Sequence, residues 1–296
     1  MPTTEELATR IPLAVMIDDS VVARPQSGFT TASIVYHAPA DGLETRYTFV
    51  YQEQDAPDVG PVRSARRYYI SWAAEYRALL GHYGAEYAGQ LWLKEIDGDL
   101  IYDLDALRGS GSGYHRIKTR SAPHNAYTST GSLYQLADRK GFPQEMLDGL
   151  GSRVFQDDAL ETERPAEASI RIPYKTGRID YTYERASNSY LRSIAGRAQL
   201  DAATGKRVRA RNILVLYIRL TWEYEAVTGY SRPVFHLVGK GKAVVFRDGK
   251  AIPGTWAKTS TGDLTRILDD DGNQIPLVRG PIYIQVVPTG TEIDYS

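Results

Sequence analysis

Residues 60–67 read Gly60-Pro61-Val62-Arg63-Ser64-Ala65-Arg66-Arg67, and this stretch joins a predicted turn to a predicted helix. Gly-Pro is a turn signal, and serine is a favourable helix N-cap because its hydroxyl accepts from a free backbone N–H. Beyond it, apolar and aromatic residues recur at helical spacing as far as Leu80. The sequence therefore predicts a long amphipathic helix that begins at Ser64.

The start of this helix is basic, since Arg66 and Arg67 fall in its first turn and Arg63 lies just before it. A helix N-terminus carries partial positive charge and normally favours Asp or Glu. Cations beside free backbone N–H groups become favourable when an anion such as phosphate binds there. The alternative is that these arginines pair with nearby carboxylates or lie in solvent. The stretch thus indicates an anion-binding site and leaves any reaction undecided.

Length and composition restrict the class of protein. A chain of 296 residues is long enough for two domains, and its 42% hydrophobic and 24% charged residues are typical of a soluble globular protein. The formal net charge of −1 argues against a general nucleic-acid-binding protein. The absence of cysteine excludes disulfides, thiolate catalysis and cysteine-ligated metal sites. No run of about 18 apolar residues occurs, so no membrane span is predicted.

The first half of the chain predicts a polar leader at residues 1–10 and an α/β or α+β domain with a mixed sheet at residues 11–150. Residues 13–17 form an apolar run that ends in Asp18-Asp19, which indicates a buried strand with carboxylates at its C-terminal end. Ligands bind at this edge in open α/β sheets. Further predicted elements are a strand at 45–51, helices at 86–94 and 132–140, and a mobile glycine–serine loop at 109–113.

The second half, residues 151–296, predicts a β-rich domain without a convincing helix. Turn signals such as Asp248-Gly249 separate the predicted strands. These strands are residues 169–174, 179–185, 190–194, 213–222, 234–238, 243–247, 265–268 and 282–287. Within this half, Lys206, Arg207, Arg209 and Arg211 place three arginines on one face of a short strand. That face is either solvated or a contact for anionic lipid headgroups.

Four arginines of the first half lie at or beside predicted strand ends and loops: Arg24, Arg46, Arg63 and Arg66. Arginine presents a planar fork of donors that suits phosphate or carboxylate groups. If the strands are neighbours, these side chains converge on one anion. The alternative is that they form structural salt bridges with Asp18, Asp19 or Glu44. The predicted ligand-binding residues are Arg24, Arg46, Arg63, Ser64, Arg66, His82 and Asn125.

Asp18 and His124 are the predicted catalytic residues. A carboxylate at a strand end can hold Mg²⁺ together with substrate phosphates, so magnesium is a candidate cofactor with Asp18 as its ligand. Adjacent strand residues point to opposite faces, so only one of Asp18 and Asp19 can serve. The alternative is a helix-capping role or an arginine partner.

Histidine titrates near neutral pH, which makes His124, with Asn125 beside it, a candidate for acid–base chemistry or substrate positioning. The alternative is a structural or merely exposed histidine, and His82 is a second candidate. The remaining histidines show no spacing to a partner, and no zinc-binding pattern occurs. They are His37, His115 and His236.

Short segments spread over nearly the whole chain carry a family resemblance. In the first half they are Pro12-Leu13-Ala14-Val15-Met16-Ile17-Asp18, Ala23-Arg24-Pro25-Gln26-Ser27-Gly28, Ala32-Ser33-Ile34-Val35-Tyr36, Thr45-Arg46, Gly60-Pro61-Val62-Arg63-Ser64-Ala65-Arg66 and Ala122-Pro123-His124-Asn125-Ala126-Tyr127. In the second half they are Gly239-Lys240-Gly241-Lys242-Ala243, Phe246-Arg247-Asp248-Gly249-Lys250 and Gly254-Thr255-Trp256. Together these segments resemble bacterial extracytoplasmic lipoproteins of the YerB type, a domain family of unknown function.

This resemblance implies an α/β domain followed by a β-rich domain, held outside the cell membrane by a lipid anchor. The lipidated cysteine of the family is absent from this chain, so membrane contact is expected only through an anchor in the full-length protein. The chain also departs from the family at His82-Tyr83-Gly84-Ala85, where a His-Ala-Gly-Gly stretch is common.

Two functional hypotheses follow. The first is a cell-envelope protein that binds an anionic ligand, a phosphorylated or lipid-linked glycan. The order of strands and arginines is similar to that of LytR-CpsA-Psr enzymes, which handle polyprenyl-pyrophosphate carriers with arginines and an Asp-bound magnesium. The second is a non-enzymatic scaffold or interaction lipoprotein whose tyrosine-rich β domain contacts a partner. Arginines that pair with protein carboxylates favour the second, and the sequence leaves open whether the protein is an enzyme.

Overall fold

The computed structural model describes residues 4–296, so the first three residues of the predicted leader lie outside it. The helices are α1 (Thr4–Thr9), α2 (Arg67–Ala74), α3 (Tyr87–Ile96) and α4 (Thr130–Arg139). The strands of the first half are β1 (Leu13–Asp18), β2 (Ile34–Pro39), β3 (Thr45–Tyr51), β4 (Leu79–His82), β5 (Tyr102–Asp105), β6 (Tyr114–Arg116) and β7 (Ala126–Thr128). None of these helices is long and apolar enough to cross a membrane.

The second half of the chain contributes only strands and a single 3₁₀ turn to the described structure. The strands are β8 (Phe155–Gln156), β9 (Ser169–Ile172), β10 (Ile179–Glu184), β11 (Ser189–Ile194), β12 (Arg197–Ala198), β13 (Arg209–Ala210), β14 (Asn212–Ile218), β15 (Leu220–Glu225), β16 (Tyr230–Phe235), β17 (Gly239–Arg247), β18 (Lys250–Lys258), β19 (Arg266–Leu268), β20 (Leu277–Val278), β21 (Ile282–Pro288) and β22 (Asp294–Tyr295). This confirms the predicted fold class, a mixed sheet with helices followed by a β-rich region.

A ten-stranded mixed sheet forms the centre of the molecule, in the order β19-β18-β17-β14-β21-β2-β3-β1-β4-β5. Strand β2 of the first half pairs in parallel with β21 of the second half, with Ile34 opposite Ile282. This pairing joins the two segments that the sequence analysis assigned to separate domains. Both faces of this sheet carry buried apolar side chains, so both faces are covered.

Two layers cover the sheet. On one face, α2 and α3 pack against apolar side chains such as Met16, Leu80 and Ile284. On the other face, a second sheet in the order β12-β11-β10-β9-β22, with β13 beside β11, packs against side chains such as Val15 and Phe49. Each large apolar side chain buried in this way contributes about 1.5–3 kcal/mol.

Six strands of the central sheet, together with β18, run in the same direction. Strand β1 is parallel to β4 and β5, β2 is parallel to β21 and β14, and β1 and β2 share the antiparallel neighbour β3. Their C-terminal ends therefore meet at one side of the sheet, which we call the carboxyl edge. The opposite side, where the six strands begin, is the amino edge.

The predicted helix at residues 64–80 is shorter and more buried than expected. Helix α2 begins at Arg67, and Arg66 is the N-cap in extended conformation, so Ser64 does not cap it. Tertiary contacts override the local signal, because the Ala65 N–H bonds to the Gly84 carbonyl and keeps this segment extended. All residues of α2 after Arg67 are buried, which contradicts the expected amphipathic pattern.

Two strands of the second half differ from the predictions. The predicted strand at residues 213–222 is two strands, β14 and β15, because the chain leaves the central sheet at Arg219. Strand β18 was not predicted, although it pairs with β17 along its whole length. The alternation of apolar and polar residues that predicts a strand is weak in β18, because Pro253 and Gly254 interrupt it.

Candidate functional site

Asp18, at the end of β1, is the centre of a small cluster at the carboxyl edge. Its Oδ2 lies 2.6 Å from His124 Nδ1 and 3.3 Å from Arg63 Nε. Its Oδ1 accepts a 2.9 Å hydrogen bond from the Ser20 N–H, at the point where the chain turns out of the sheet. The Ser20 hydroxyl lies 3.2 Å from His124 Nδ1. The structure thus brings together three predicted site residues that are far apart in sequence.

This cluster has the geometry of a carboxylate-oriented histidine. Asp18 holds Nδ1 of His124, and the half-exposed imidazole forms no hydrogen bond through Nε2 to any residue within 4–296. A histidine held in this way can exchange a proton at its free nitrogen. Both Asp18 oxygens already have protein partners. Within the described residues no group of three His, Cys, Asp or Glu could hold a metal.

Asp41 lies next to this cluster and faces three arginines. Its oxygens lie 3.0 Å from Arg66 Nε, 3.0 Å from Arg232 Nη1 and 3.8 Å from Arg46 Nη2. Burial raises the pKa of Asp41, but the hydrogen bond and charge of Arg66, with the charges of Arg46 and Arg232, lower that pKa to about 2. Asp41 is therefore ionised and occupies the position that an external anion would take.

Ser64 connects two of the predicted arginines. Arg46 Nη1 donates to the Ser64 carbonyl at 2.5 Å, and Arg66 Nη1 donates to the Ser64 hydroxyl at 3.1 Å. Burial and the neighbouring charges of Arg66 and Arg63 lower the pKa of Arg46 to about 10, although Asp41 acts in the opposite direction. Arg46, Arg63 and Arg66 thus lie together, and each faces a protein carboxylate.

Arg24 is separated from the other three arginines. Its Nε donates to Asp19 Oδ1 at 3.0 Å, its Nη2 to the Asp19 carbonyl at 2.8 Å, and its Nη1 to the Thr176 carbonyl at 3.2 Å. Asp19 faces the second sheet, whereas Asp18 faces the side of α2. The prediction that Arg24 joins the same cluster is therefore wrong, since all three nitrogens hold protein acceptors on the other face.

A buried polar network around Asp19 was missed by the sequence analysis. Asp19 Oδ2 lies 3.0 Å from His37 Nε2 and accepts a 2.5 Å hydrogen bond from the Thr45 hydroxyl. His37 Nδ1 lies 3.0 Å from Gln285 Oε1 and 3.3 Å from Arg192 Nη2. His37 was expected to have no partner. Its contacts come from distant strands, and no local spacing indicates them.

Burial alone would raise the pKa of Asp19. The hydrogen bond and charge of His37, with the charges of Arg24 and Arg192, reverse this effect and hold the pKa well below its usual range. Burial lowers the pKa of His37 despite the neighbouring Asp19. The network therefore contains an ionised carboxylate and a neutral histidine, and it fixes the second sheet to the central sheet.

His82 and Asn125 serve the local structure. His82 is fully buried, with Nε2 2.7 Å from Asp103 Oδ1 and Nδ1 2.8 Å from the Gly84 carbonyl. Burial lowers its pKa, but the hydrogen bond and charge of Asp103 outweigh this and raise it. This burial contradicts the prediction that His82 contacts a ligand. Asn125 Oδ1 accepts a 2.5 Å hydrogen bond from Arg116, which holds the loop before β7.

The hairpin formed by β15 and β16 stands beside Asp41 and was not anticipated. Trp222 and Tyr224 lie on one face of it and are 51% and 70% exposed. Arg232 fastens the hairpin to the cluster, since its Nη1 donates to Asp41 and its Nε donates to Glu225, each at 3.0 Å. Large exposed aromatic side chains on a fixed support are typical of contact surfaces.

Comparison with known proteins agrees with this fold. The family described as "Protein of unknown function (DUF3048) N-terminal domain" matches residues 1–143, and its C-terminal domain matches residues 170–284. The chain belongs to the DUF3048 family. It is 30% identical over 294 residues to the "Putative lipoprotein YerB" of Bacillus subtilis (strain 168), covering 97% of this chain and 84% of that protein.

A solved structure of the DUF3048 family has the same architecture. The crystal structure of the YerB protein from Bacillus subtilis matches with a TM-score of 0.86 and 28% identity, over 100% of this chain and 97% of that one. The resemblance to YerB-type proteins is thereby confirmed. In this member of the DUF3048 family, the two matched regions contribute adjacent strands, β2 and β21, to one sheet.

Proposed function

We propose that this DUF3048-family protein is a non-enzymatic recognition protein of the cell envelope that contacts a protein partner through the β15–β16 hairpin. The observation that carries this proposal is the exposure of large apolar side chains on one rigidly held hairpin. They are Trp222, Tyr224, Val227 and Tyr230. Tryptophan and tyrosine in such positions supply most of the binding free energy at protein interfaces.

The state of the predicted arginines supports recognition over turnover. Arg46 and Arg66 face Asp41, Arg66 also faces Glu86, and Arg63 faces Asp18, so each of these arginines already has a protein carboxylate as its partner. This is the pairing that the interaction hypothesis expects. Arg67 pairs with Glu223 of the hairpin at 2.6 Å, and Arg232, on β16 of the hairpin, pairs with Asp41 at 3.0 Å. The ion pairs therefore serve to hold the hairpin in place.

The name of the Bacillus subtilis relative supports an extracytoplasmic location with lipid attachment. Strand β1 starts at the amino edge and runs about 20 Å, at 3.3 Å per residue, to the carboxyl edge. The hairpin follows β14 at the carboxyl edge. An anchor located before β1 would therefore leave the hairpin directed away from the membrane, where an envelope partner can reach it.

Replacing Tyr224 by a photoreactive benzoylphenylalanine tests this proposal in cells that produce the full-length protein. We expect irradiation to give one discrete protein adduct, and we expect Trp222→Ser in the same chain to reduce its yield about tenfold or more. The matched control carries the same photoreactive group at Tyr295, an exposed tyrosine of β22 in the second sheet. The absence of an adduct, or the same adduct at both positions, would contradict the proposal.

Binding of an anionic ligand, such as a phosphorylated or lipid-linked glycan, is a second candidate function. It is supported by Arg63, whose side chain is 26% exposed and forms no hydrogen bond to the described residues 4–296. His124, whose Nε2 forms no hydrogen bond within residues 4–296, contacts the same Asp18 Oδ2 atom as Arg63. An anion on Arg63 would thus lie next to a group that can move a proton.

Arg63→Ala is expected to weaken the binding of geranylgeranyl pyrophosphate, a soluble lipid pyrophosphate, by about tenfold or more in calorimetry. Arg108→Ala is the control, since Arg108 is an exposed arginine paired with Asp105. Equal affinities of the two variants would exclude this site.

A turnover assay with a lipid-linked glycan tests the predicted catalytic residues. If turnover is detected, His124→Ala should abolish the turnover while binding persists. Added magnesium should raise the turnover rate if Asp18 holds the metal.

A further inference from the structure

A cavity of about 660 Å³ lies at the amino edge, away from the cluster and the hairpin. The start of the central sheet forms one wall, and the segment between α4 and β8 forms another. Most of its lining is apolar, and the side chains that matter here are Ile34, Met146, Phe155, Leu264 and Ile282. A cavity of this volume and character has the usual properties of a site for a small organic molecule.

Arg153 is the polar group that distinguishes this cavity. Its Nη1 donates to the Thr265 carbonyl and its Nη2 to the Tyr76 hydroxyl, each at 3.1 Å. Its Nε is buried without a hydrogen-bond partner, and Arg153 takes part in no ion pair among residues 4–296. The Arg153 side chain is partly buried and has no carboxylate within ion-pair distance among residues 4–296, so this position favours an external anion.

The carboxylates near the cavity are already engaged. Glu75 is fully buried and pairs with Lys258 at 2.9 Å, and Glu53 binds the Ser33 hydroxyl at the surface. Arg279 at the mouth pairs with the exposed Asp157 at 2.8 Å. The charge of Glu75 also acts on Arg153, but the direct ion pair of Glu75 is with Lys258. Among the charged groups of the described lining, Arg153 is therefore the cation without an ion-pair partner.

A second hollow of about 480 Å³ adjoins the first, and both contain Gln54 and Pro281 in their walls. Four basic residues line it, of which Arg209 and Arg211 face Glu184 and Asp158. They are Lys206, Arg207, Arg209 and Arg211. The excess of positive charge extends the preference for anions from Arg153 to the surface of the amino edge.

We infer that the cavity at the amino edge binds an amphipathic anion, with an apolar chain against Ile34, Phe155 and Leu264 and a carboxylate or phosphate on Arg153. The apolar lining supplies the driving force for the chain, and Arg153 selects a negative headgroup. This ligand site is independent of the hairpin and of Arg63. Its ligand is either a free amphiphile or an anionic lipid of the adjacent membrane, which share this chemistry.

Calorimetric titration of the purified protein with decanoate, decanol and decyltrimethylammonium tests whether the cavity selects a negative headgroup. We expect decanoate to bind and the neutral and cationic analogues to bind at least about tenfold more weakly. Arg153→Met should weaken decanoate binding by a similar factor, whereas Arg266→Met, at an exposed arginine of β19, should leave it unchanged. Decanol binding as tight as that of decanoate would overturn the inference.

A second variant guards against a folding defect, because Arg153 also bonds to Tyr76 and Thr265. Met146→Glu introduces a carboxylate at a half-exposed position of the lining, and we expect it to weaken decanoate binding about tenfold with an unchanged unfolding midpoint.

Flotation with phosphatidylglycerol and phosphatidylcholine vesicles distinguishes the two possible sources of the ligand, a membrane lipid and a free amphiphile. Arg153-dependent binding to the anionic vesicles alone assigns a membrane lipid, and decanoate binding without vesicle binding assigns a free amphiphile. Failure of all these ligands to bind overturns the site.

Discussion

Replacing Asp19 by alanine is expected to lower the free energy of unfolding by about 3–5 kcal/mol, measured by urea unfolding at pH 7. The carboxylate has no access to water and accepts from Arg24, Gln26 and Thr45, with His37 also in contact. Its removal leaves the Arg24 guanidinium and the buried Arg192 charge without their counterion. The network also spans the two sheets, so the loss is expected to affect the whole molecule.

The matched control is Asp157→Ala, which removes an exposed carboxylate paired with the exposed Arg279. Such surface pairs contribute about 0–1 kcal/mol, so this variant should unfold close to the wild type. If Asp19→Ala lost no more stability than Asp157→Ala, the Asp19 network would not support the fold as described.

The same network predicts a defined pH dependence. Because the pKa of Asp19 is depressed in the folded state, its stabilisation is complete above the unfolded value, about 3.9, and is lost as the pH falls through the folded pKa. The depressed pKa of His37 also makes the folded state less stable as the pH falls below about 6.5, because the unfolded chain then binds the proton more readily. We expect Asp19→Asn to be less stable at pH 7 but to lose less stability than the wild type between pH 5 and 3. Parallel curves would contradict this assignment.

Lys258→Met is expected to lower the free energy of unfolding by a comparable amount, about 3–5 kcal/mol. Lys258 Nζ donates to Glu75 Oε1 at 2.9 Å and to the Ser71 hydroxyl at 3.2 Å, and both charged side chains are fully buried. The substitution leaves the Glu75 carboxylate buried and without its cation. Urea unfolding at pH 7 measures the effect.

A double-mutant cycle separates the pair from its surroundings. Glu75 also accepts from the hydroxyls of Tyr36 and Thr265, and a glutamine oxygen can keep part of these bonds. We therefore expect Glu75→Gln combined with Lys258→Met to be more stable than Lys258→Met alone, because no uncompensated charge remains. Strictly additive losses would show that the two side chains do not act as an ion pair.

Local patterns in the sequence were sufficient for much of the fold. The apolar run before Asp18 and the alternation in β3 identified two central strands, and the predicted helices at 86–94 and 132–140 correspond to α3 and α4. The helix after Ser64 was predicted too long, because local spacing does not reveal the bond from Ala65 to Gly84. The hairpin was missed, since β14 and β15 are separated only by Arg219 and read as one apolar strand.

The sequence identified several residues of the candidate site by their type, but it did not show which residues contact one another. Asp18, Arg63 and His124 were each singled out, and they lie in contact at one edge. Asp41, which faces three arginines, was not, because an aspartate in a short turn carries no signal of its own. His37 shows no sequence spacing to a partner, although Asp19, Arg192 and Gln285 surround it in the folded chain.

The sequence by itself determined the family, the order of the elements and the identity of most cations at the carboxyl edge, since these follow from motifs and short-range periodicity. Only the tertiary structure decided which carboxylate meets each arginine, which histidine is buried, and that both halves share a sheet. Ion pairing and burial depend on distances between residues far apart in the chain. Such distances are set by the order of the strands in the sheet, and local sequence patterns do not reveal that order.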